Sequence, residues 1–383
     1  MTARLLANAD SLAPEIEARA GEIESARRIP KDLSQKMARA GFYRMFAPEA
    51  LGGLEVSPAD AARVFERLAR ADASCGWVAF IGATSASMLA LLPDDAARTI
   101  FATPETMIAG VVRASGRADV VAGGFNVNGR WQWGSGSENA DWVFAGCELY
   151  EDGRALTTRS GAPRSHLLAL PARDIEFLDT WRVAGLRGTG STDFAVRDLF
   201  VPEAHAAGYL VRDNPPRPLY QFPLFPLLAL GIGAVALGVA RAALDELIAL
   251  ASGKVRSGSS NAIANRPHTQ MQVAVAQARL RSARAFFFET IDAAWQTAVA
   301  GKPATLDQRR DMRLAITQGV QASVEVVDAM YTLAGGTSVY ETSRLQRQFR
   351  DVHVITQHVM VAPSTLETVG RLYLGVETNT SML

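Results

Sequence analysis

The sequence has few cysteines, few histidines and no excess of charge of either sign. Its 383 residues include 2 cysteines and 5 histidines, and 39 basic side chains balance 39 acidic ones. Two cysteines are too few for a disulfide framework, and the spacing of Cys75 and Cys147 matches no metal site. We therefore expect both thiols to be reduced and buried, as in a cytoplasmic protein.

Signals for nucleic acid, membranes and secretion are also scarce. No run of basic residues is longer than Arg309-Arg310, so the neutral chain lacks an electrostatic surface for nucleic acid or an anionic membrane. The first twenty residues contain acidic side chains and no apolar core, so we expect no secretion signal. Residues 222–240 carry no charge, but their two prolines and three glycines favour a wholly buried helix over a membrane span.

Common local motifs for nucleotides, zinc and hydrolysis are missing. The sequence contains no G-x-G-x-x-G after a predicted strand, no P-loop and no H-E-x-x-H. Residues 134–137 (GSGS) do not have the G-x-S-x-G spacing of an α/β-hydrolase nucleophile. His353 and His358 are five residues apart, about 140° around a helix, and cannot be i, i+4 metal ligands. Standard Rossmann, zinc and serine-hydrolase sites therefore have no support.

Hydrophobic spacing divides the chain into three parts. Apolar residues recur at helical spacing up to about residue 102, and they do so again after the proline-rich segment 214–218. Between these parts, short β-branched and aromatic runs are broken by Gly, Asn and Asp, which is typical of strands. We predict an N-terminal helical domain over 1–106, a β domain over 107–212 and a C-terminal helical bundle over 213–383.

Several elements are predicted individually. Asn128-Gly129 suits a type I′ turn, which would join 125–127 to 131–133 as a hairpin. Four long helices are predicted at 224–252, 267–299, 304–333 and 341–361, with a shorter helix after Pro363. Glycines in GIGAVALGVA (231–240) allow another backbone to approach closely, either in the core of one chain or at a subunit interface.

The order of several short motifs is informative. The N-terminal part contains ASCGW (73–77), and the β part contains GRWQWGSG (129–136), ADW (140–142), WRVAGLRGTGS (181–191) and FVP (200–202). The C-terminal part adds AGG (334–336), LQR (345–347) and RD (350–351). In this order they resemble the acyl-CoA dehydrogenase superfamily along nearly the whole chain, and within it the group D two-component flavin-dependent monooxygenases.

The resemblance implies a mainly α fold with a central β domain. It consists of an N-terminal helical domain, a small β-barrel or sandwich and a C-terminal four-helix bundle that mediates tetramer formation. Flavin lies between the β domain and the bundle in this family. The resemblance therefore implies a homotetramer with a flavin site that is not of the Rossmann type.

The two positions that hold the catalytic glutamate of acyl-CoA dehydrogenases carry no acid here. Our register places Val359 at one of them and Leu228 near the other. His358 instead occupies the region where group D monooxygenases often keep a histidine. The resemblance implies that His358 is a catalytic acid or base toward the substrate or the reacting oxygen, since a pKa near 6.5 populates both forms around neutral pH. A purely structural histidine is the alternative.

The resemblance also implies a set of cofactor contacts. Ser135 would hydrogen-bond near flavin N5 and take part in catalysis, although a turn role is the alternative. Arg350 and Arg347 lie three residues apart and would reach a phosphate, but Arg347 can equally pair with Asp351. Residues 256–260 (RSGSS) replace the Arg-x-x-Phe-Gly that meets the adenine end of FAD in dehydrogenases, so FADH2 and FMNH2 both stay open. The other expected cofactor-binding residues are Trp133, Arg187, Thr189, Ser191, Gly335 and Gly336.

These observations lead to one functional hypothesis and two alternatives. We expect an oxygenase component that receives reduced flavin from a separate reductase and uses dioxygen to hydroxylate a small, apolar aromatic or heteroaromatic substrate. No nicotinamide site is evident in the sequence, which is why a reductase is implied. The alternatives are an acyl-CoA dehydrogenase with an unusually placed base, and a catalytically silent relative that serves binding or assembly.

Overall fold

The fold is described from a computed structural model, which covers residues 2–208, 217–255 and 261–383. A helical part, a sheet and a second helical part follow one another along the chain. This order agrees with the mainly α fold with a central β domain that the resemblance implies. We retain 1–106, 107–212 and 213–383 as proposed domain limits, and the second boundary falls outside the described residues.

The N-terminal part packs short helices around an apolar centre. Two of its helices begin after residues whose side chains accept hydrogen bonds from free backbone amides. Ser57 accepts from the amide of Asp60 at 3.2 Å, and Asp72 accepts from those of Ser74 and Cys75 at 2.9 and 3.1 Å. The α-helices of this part are Thr2–Ala18 (α1), Ala20–Ala26 (α2), Lys31–Arg39 (α3), Pro58–Ala71 (α4), Ala73–Ala86 (α5) and Asp94–Ile100 (α6).

The central part is one sheet in the order β6-β7-β2-β1-β3-β5-β8, with β4 paired to β3 at its side. Only β1 and β3 run parallel among the described pairs, and the remaining pairs are antiparallel. The strands are Ile108–Val121 (β1), Gly124–Trp131 (β2), Trp142–Glu151 (β3), Arg154–Ala155 (β4), Ser165–Pro171 (β5), Glu176–Leu178 (β6), Asp193–Pro202 (β7) and Ala206–Gly208 (β8).

The predicted hairpin at Asn128-Gly129 is wrong. Both residues lie inside β2, and the turn between β1 and β2 falls at residues 122–123, where Gly123 has a φ of +79°. Gly129 lacks a side chain for a different reason: a Cβ there would stand 2.7 Å from the ring of Trp131. Asn128 accepts a hydrogen bond from the amide of Asp198 on β7 at 2.9 Å. The Asn-Gly pair therefore serves packing and a bulged strand pairing, because tertiary contacts override its turn preference.

The C-terminal part is a bundle of long helices. The predicted helices 224–252, 267–299 and 304–333 agree closely with those observed, and the helix after Pro363 is present. The helices are Pro218–Gln221 (α7), Leu224–Ala251 (α8), Pro267–Val299 (α9), Leu306–Ala334 (α10), Arg344–Ile355 (α11) and Pro363–Tyr373 (α12).

Helix α8 is the core of the molecule. Among the described residues, two segments are long and apolar enough to cross a membrane, Ala73–Leu91 and α8, but 83% and 89% of their apolar windows are buried inside the protein. The expectation of a wholly buried helix is thus confirmed. Its glycines approach elements of the same chain: a Cβ on Gly231 would overlap the ring of Phe80, and one on Gly238 would overlap the Glu66 carbonyl oxygen.

The predicted helix 341–361 is shorter than expected. Helix α11 ends at Ile355, where the hydroxyl of Thr356 donates a 2.6 Å hydrogen bond to the His353 carbonyl oxygen. His358 follows in an extended conformation, with φ −73° and ψ 129°, and begins a separate 3-10 turn, Val359–Val361. The angular argument treated His353 and His358 as members of one helix, and this assumption is wrong. The β-branched residues here favour the break.

Both cysteines are free and buried, as expected. Burial, and then the negative charge of Asp72, raise the pKa of the Cys75 thiol well above its ordinary value. Burial alone raises the pKa of Cys147 to about 12. Neither sulfur is a thiolate near neutral pH.

Candidate active site

A chain of buried hydroxyl groups connects two loops beside the sheet. The indole Nε1 of Trp77 on α5 donates a 3.1 Å hydrogen bond to Ser135 Oγ. Ser135 Oγ lies 2.6 Å from Ser191 Oγ, which lies 2.7 Å from Thr189 Oγ1. Thr189 Oγ1 in turn donates a 2.8 Å hydrogen bond to the Leu186 carbonyl oxygen.

The direction of each hydrogen bond in this chain is fixed by its two ends. An indole N–H can only donate and a carbonyl oxygen can only accept, so each hydroxyl between them receives one proton and passes its own onward. Ser135 therefore donates to Ser191, and Ser191 donates to Thr189. As a result, Ser135 can offer a further partner a lone pair but not a proton.

Backbone conformation holds the two loops together. The first loop follows β2 and carries Trp133 with a φ of +62°, while the second precedes β7 and carries Leu186 with a φ of +49°. The amide of Gly136 donates to the Thr189 carbonyl at 2.8 Å, and that of Gly134 donates to the Thr192 carbonyl at 3.0 Å. Positive φ at a non-glycine residue is uncommon and is retained only where the surroundings impose it.

Asp351 on α11 anchors the second loop. Its Oδ1 accepts a 2.6 Å hydrogen bond from the amide of Leu186. The preceding residue, Gly185, has no side chain, and a Cβ there would overlap the backbone of Arg350. Burial, and then the negative charge of Asp72, raise the pKa of Asp351 to about 7. Asp351 thus binds the second loop. The sequence-based alternative, in which Arg347 pairs with Asp351, is not observed.

His358 packs against Trp77. The two rings meet edge to face, with centroids 5.8 Å apart and planes inclined by 61°. Nδ1 of His358 accepts a 3.2 Å hydrogen bond from the amide of Met360. This bond assigns the proton of the neutral ring to Nε2, which makes no hydrogen bond to the described residues.

The expectation that His358 titrates near neutral pH is wrong for this structure. Burial, and then the positive charge of Arg313, lower the pKa of His358 to about 4. The imidazole is therefore neutral at pH 7, with a donor at Nε2. Within the described ranges, no Asp or Glu is hydrogen-bonded to His358, Ser135 or Trp77.

Three arginines that we expect near the cofactor lie around the carboxylate of Glu24 on α2. Glu24 lies 2.5 Å from Arg350, 3.0 Å from Arg347 and 4.0 Å from Arg187. Burial alone would raise the pKa of Glu24, but the hydrogen bonds and charges of Arg350 and Arg347 outweigh it and lower the pKa. Arg350 also donates to the Ala184 carbonyl, so its guanidinium is engaged within the chain.

Gly335 and Gly336 occupy a different place. They connect the end of α10 to the following 3-10 turn and line a cavity of about 830 Å³ together with Lys254, Thr337 and Tyr340. Gly335 has a φ of +57°. Within one chain, no hydrogen bond or ion pair among the described residues joins these glycines to the hydroxyl chain.

The residues around Ser135 fit a flavin. Trp133 exposes 65% of its surface directly beside the buried Ser135, which leaves an indole face for a ring system. Arg187 Nε is buried and has no partner in the part of the chain that the structure describes, so its N–H is free to donate a hydrogen bond to a bound group. These two residues, with Ser135, Thr189 and Ser191, could hold the cofactor. Residues 256–260, which replace the adenine-binding Arg-x-x-Phe-Gly of dehydrogenases, lie outside the described residues.

Sequence reasoning missed two residues of the site. Trp77 was part of a recognised motif, but nothing in the sequence shows that its N–H reaches Ser135 across 58 positions. Arg313 was overlooked although it lies on the apolar face of α10, in line with Ile316 and Val320. A cation at helical spacing among core residues was the available signal.

Comparison with known proteins supports the assignment. The acyl-CoA dehydrogenase N-terminal domain family matches residues 7–99, and the acyl-CoA dehydrogenase C-terminal domain family matches residues 230–363. An indole-3-acetate monooxygenase from Pseudomonas putida is 37% identical over 94% of this chain and 90% of its own. The oxygenase subunit HsaA of a flavin-dependent monooxygenase from Mycobacterium tuberculosis is 29% identical over 94% of this chain and 92% of its own.

Structural comparison agrees with the sequence relationships. The crystal structure of a 3-HSA hydroxylase from Rhodococcus sp. RHA1 superposes with a TM-score of 0.90 at 26% identity, covering 99% of both chains. The fold, the sequence relatives and a site built without a carboxylate base point the same way. This chain belongs to the acyl-CoA dehydrogenase superfamily, among its flavin-dependent monooxygenase oxygenase components, which use reduced flavin.

Proposed function

We propose that this chain hydroxylates a small heteroaromatic compound of the indole class, with reduced flavin delivered by a separate reductase. The observation that carries the proposal is the directed hydroxyl chain that ends at Ser135 beside Trp77 and His358, with a neutral histidine and no hydrogen-bonded carboxylate. The indole class is chosen because the Pseudomonas putida relative is an indole-3-acetate monooxygenase.

Reduced flavin, when bound, supplies the two electrons with which one atom of dioxygen enters the substrate and the other becomes water. The chain contributes orientation and the exclusion of water. Ser135 offers an acceptor lone pair, which suits a protonated ring nitrogen such as flavin N5. Trp133 offers a ring face, and Arg187 offers its free Nε donor.

His358 acts as a neutral hydrogen-bond donor in this proposal. Its Nδ1 is engaged with the Met360 amide, so Nε2–H is the atom that faces a substrate or oxygen. General-base work at Nε2 would require breaking that bond and moving the proton to Nδ1. Orientation and donation are therefore the roles we assign to this histidine.

We also propose roles for the remaining site residues. Thr189 and Ser191 fix the hydroxyl chain. We propose that Gly335, Gly336 and Arg350 contact flavin across subunits of a homotetramer, since they do not meet Ser135 within one chain. Exposed apolar side chains one turn apart on α9, Met271 and Val275, support subunit contact, and light scattering would measure the subunit number. We also propose a cytoplasmic location, which the buried free thiols support.

The test supplies the purified chain with chemically reduced FAD or FMN, ¹⁸O2 and indole-3-acetate. We expect a hydroxylated product that carries one ¹⁸O atom, which mass spectrometry detects. Anaerobic reduction of bound oxidised flavin by an acyl-CoA would instead indicate the dehydrogenase, and absence of flavin binding would indicate the silent relative. Either result would overturn the proposal.

A further inference from the structure

Arg313 is a buried cation without a counter-ion. It exposes 3% of its surface, and it lies on α10 among apolar neighbours. Its Nη2 donates a long hydrogen bond of 3.4 Å to Thr365 Oγ1. Nε and Nη1 are buried and have no partner in the described ranges, and Arg313 forms no ion pair with the residues described there.

An arginine in this position is costly for the fold. Burial lowers the pKa of Arg313 to about 10, so the guanidinium remains charged at neutral pH. A buried charge is normally compensated by a partner of opposite charge and by hydrogen bonds to its remaining protons. The two free donors on Arg313 therefore indicate an anion that the described residues do not provide.

The surroundings of Arg313 are suited to a carboxylate. Thr365 Oγ1 accepts from Arg313, so its own proton remains free to donate. Thr365 lies in the first turn of α12, where the helix dipole also favours negative charge. A planar guanidinium matches a carboxylate in two parallel hydrogen bonds.

Arg313 also lies next to the proposed reaction site. The 3-10 turn Val359–Val361, which begins at His358, packs against α10, the helix that carries Arg313. The ring of His358 stands against Trp77, which donates to Ser135, and the positive charge of Arg313 acts on His358. A substrate bound beside His358 thus has a cation on the neighbouring helix. The charge of the substrate would decide which aromatic compounds bind.

We propose that Arg313, assisted by Thr365, binds the carboxylate of an aromatic acid and selects anionic over neutral substrates. This inference rests on the proposed function for its reaction, but its binding part does not. It assigns a substrate-binding role to a residue far from the family motifs in the sequence.

The first test compares indole-3-acetate with indole-3-acetamide, which has nearly the same shape and no charge. Isothermal titration calorimetry on the full chain, with and without bound flavin, measures Kd for both. We expect the wild-type protein to bind the acid at least about 30-fold more tightly, as a desolvated charge pair does. Equal affinity for the two compounds would overturn the proposal without any variant.

The second test uses Arg313→Gln, with Arg309→Gln, one turn earlier on α10, as the matched control. Arg313→Gln should raise Kd and KM for the acid by about 30-fold or more and change the values for the amide less than about threefold. Arg313→Lys, which keeps a charge but not the fork, should retain part of the preference. Equal losses for acid and amide, or no loss for either, would contradict the assignment.

The two proposals fail in different ways. If neither compound incorporates oxygen from dioxygen but the acid still binds through Arg313, the proposed reaction is wrong and the anion site stands. If the amide is hydroxylated as efficiently as the acid, the reaction stands and the role of Arg313 is wrong.

Discussion

The backbone amide of Leu186 donates a 2.6 Å hydrogen bond to Oδ1 of Asp351, although 165 positions separate the two residues. The carbonyl oxygen of the same Leu186 is the final acceptor of the hydroxyl chain that begins at Trp77. Asp351 on α11 thus positions the Leu186 end of the hydroxyl chain, and Ser135 lies at its other end. Stability and site geometry are coupled at this point.

Replacing Asp351 by asparagine should change how stability depends on pH. The pKa of Asp351 is raised to about 7, against about 4 for an unfolded aspartate, so the native state binds the extra proton between these values. Ionisation therefore lowers stability as pH rises from 4 to 7, and asparagine does not ionise. Between pH 5 and pH 8 we expect Asp351→Asn to gain about 1–3 kcal/mol relative to wild type.

Thermal unfolding of both proteins at the two pH values measures this gain. The exposed Asp95→Asn controls for the loss of one charge elsewhere. A difference between Asp351→Asn and wild type that stays constant with pH would show that the carboxylate is not protonated in the native state.

Ser135→Ala should lower both stability and product yield. The buried Nε1–H of Trp77 loses its acceptor, which costs about 1–3 kcal/mol. Ser137→Ala is the matched control, because Ser137 Oγ is buried without a partner among the described residues and its loss should be nearly neutral. Melting temperature and product formed per flavin oxidised are the measurements. Equal effects of the two variants would remove Ser135 from the site.

His358→Ala should lower product yield severalfold while flavin affinity changes less than about twofold, because the ring faces the substrate side in our proposal. Burial and Arg313 hold the pKa of His358 at about 4, so the wild-type yield should show no inflection from this group between pH 5.5 and 8. His358→Gln keeps a donor and should recover part of the yield.

His353→Ala is the control for His358→Ala, since His353 is bound to Asp328 at 2.9 Å, away from the site. Product analysis and flavin titration distinguish the two histidines. Unchanged yield in His358→Ala would contradict its assigned role.

Glu24→Gln should destabilise the protein by about 2–4 kcal/mol at pH 7, because Arg350 and Arg347 lose their shared carboxylate. The lowered pKa of Glu24 means that this stabilisation is present above the unfolded pKa and is lost as pH falls below it. Glu22→Gln, two residues away and largely exposed, should cost much less, because solvent screens its ion pair with Arg19. Denaturant unfolding measures both, and similar losses would show that the arginines do not depend on Glu24.

The sequence predicted elements well where hydrophobic spacing was strong and long. Helices α8 and α9 are examples: α8 is apolar and buried along most of its 28 residues, and α9 keeps buried residues at helical spacing over its 33 residues. Prediction failed where local preference competed with tertiary contacts. Asn128-Gly129 favours a turn in isolation, yet the ring of Trp131 requires a glycine at that position of a strand.

The candidate site was predicted in part. Ser135, Thr189 and Ser191 were named from motif order, and the structure brings them into one hydrogen-bonded chain. The proton direction in that chain depends on Trp77 and Leu186, whose roles follow only from three-dimensional contact. The shifted pKa of His358 likewise depends on burial and on Arg313, 45 positions earlier in the sequence, and no local pattern reports either.

The burial of both sulfur atoms has a practical consequence for an enzyme that handles dioxygen. Oxygenases release hydrogen peroxide whenever reduced flavin reoxidises without a substrate, and peroxide attacks cysteine through its ionised form. Cys75 and Cys147 are enclosed and protonated. Flavin reoxidation without substrate should therefore leave the two cysteines of this enzyme unoxidised, even when no thiol reductant is added.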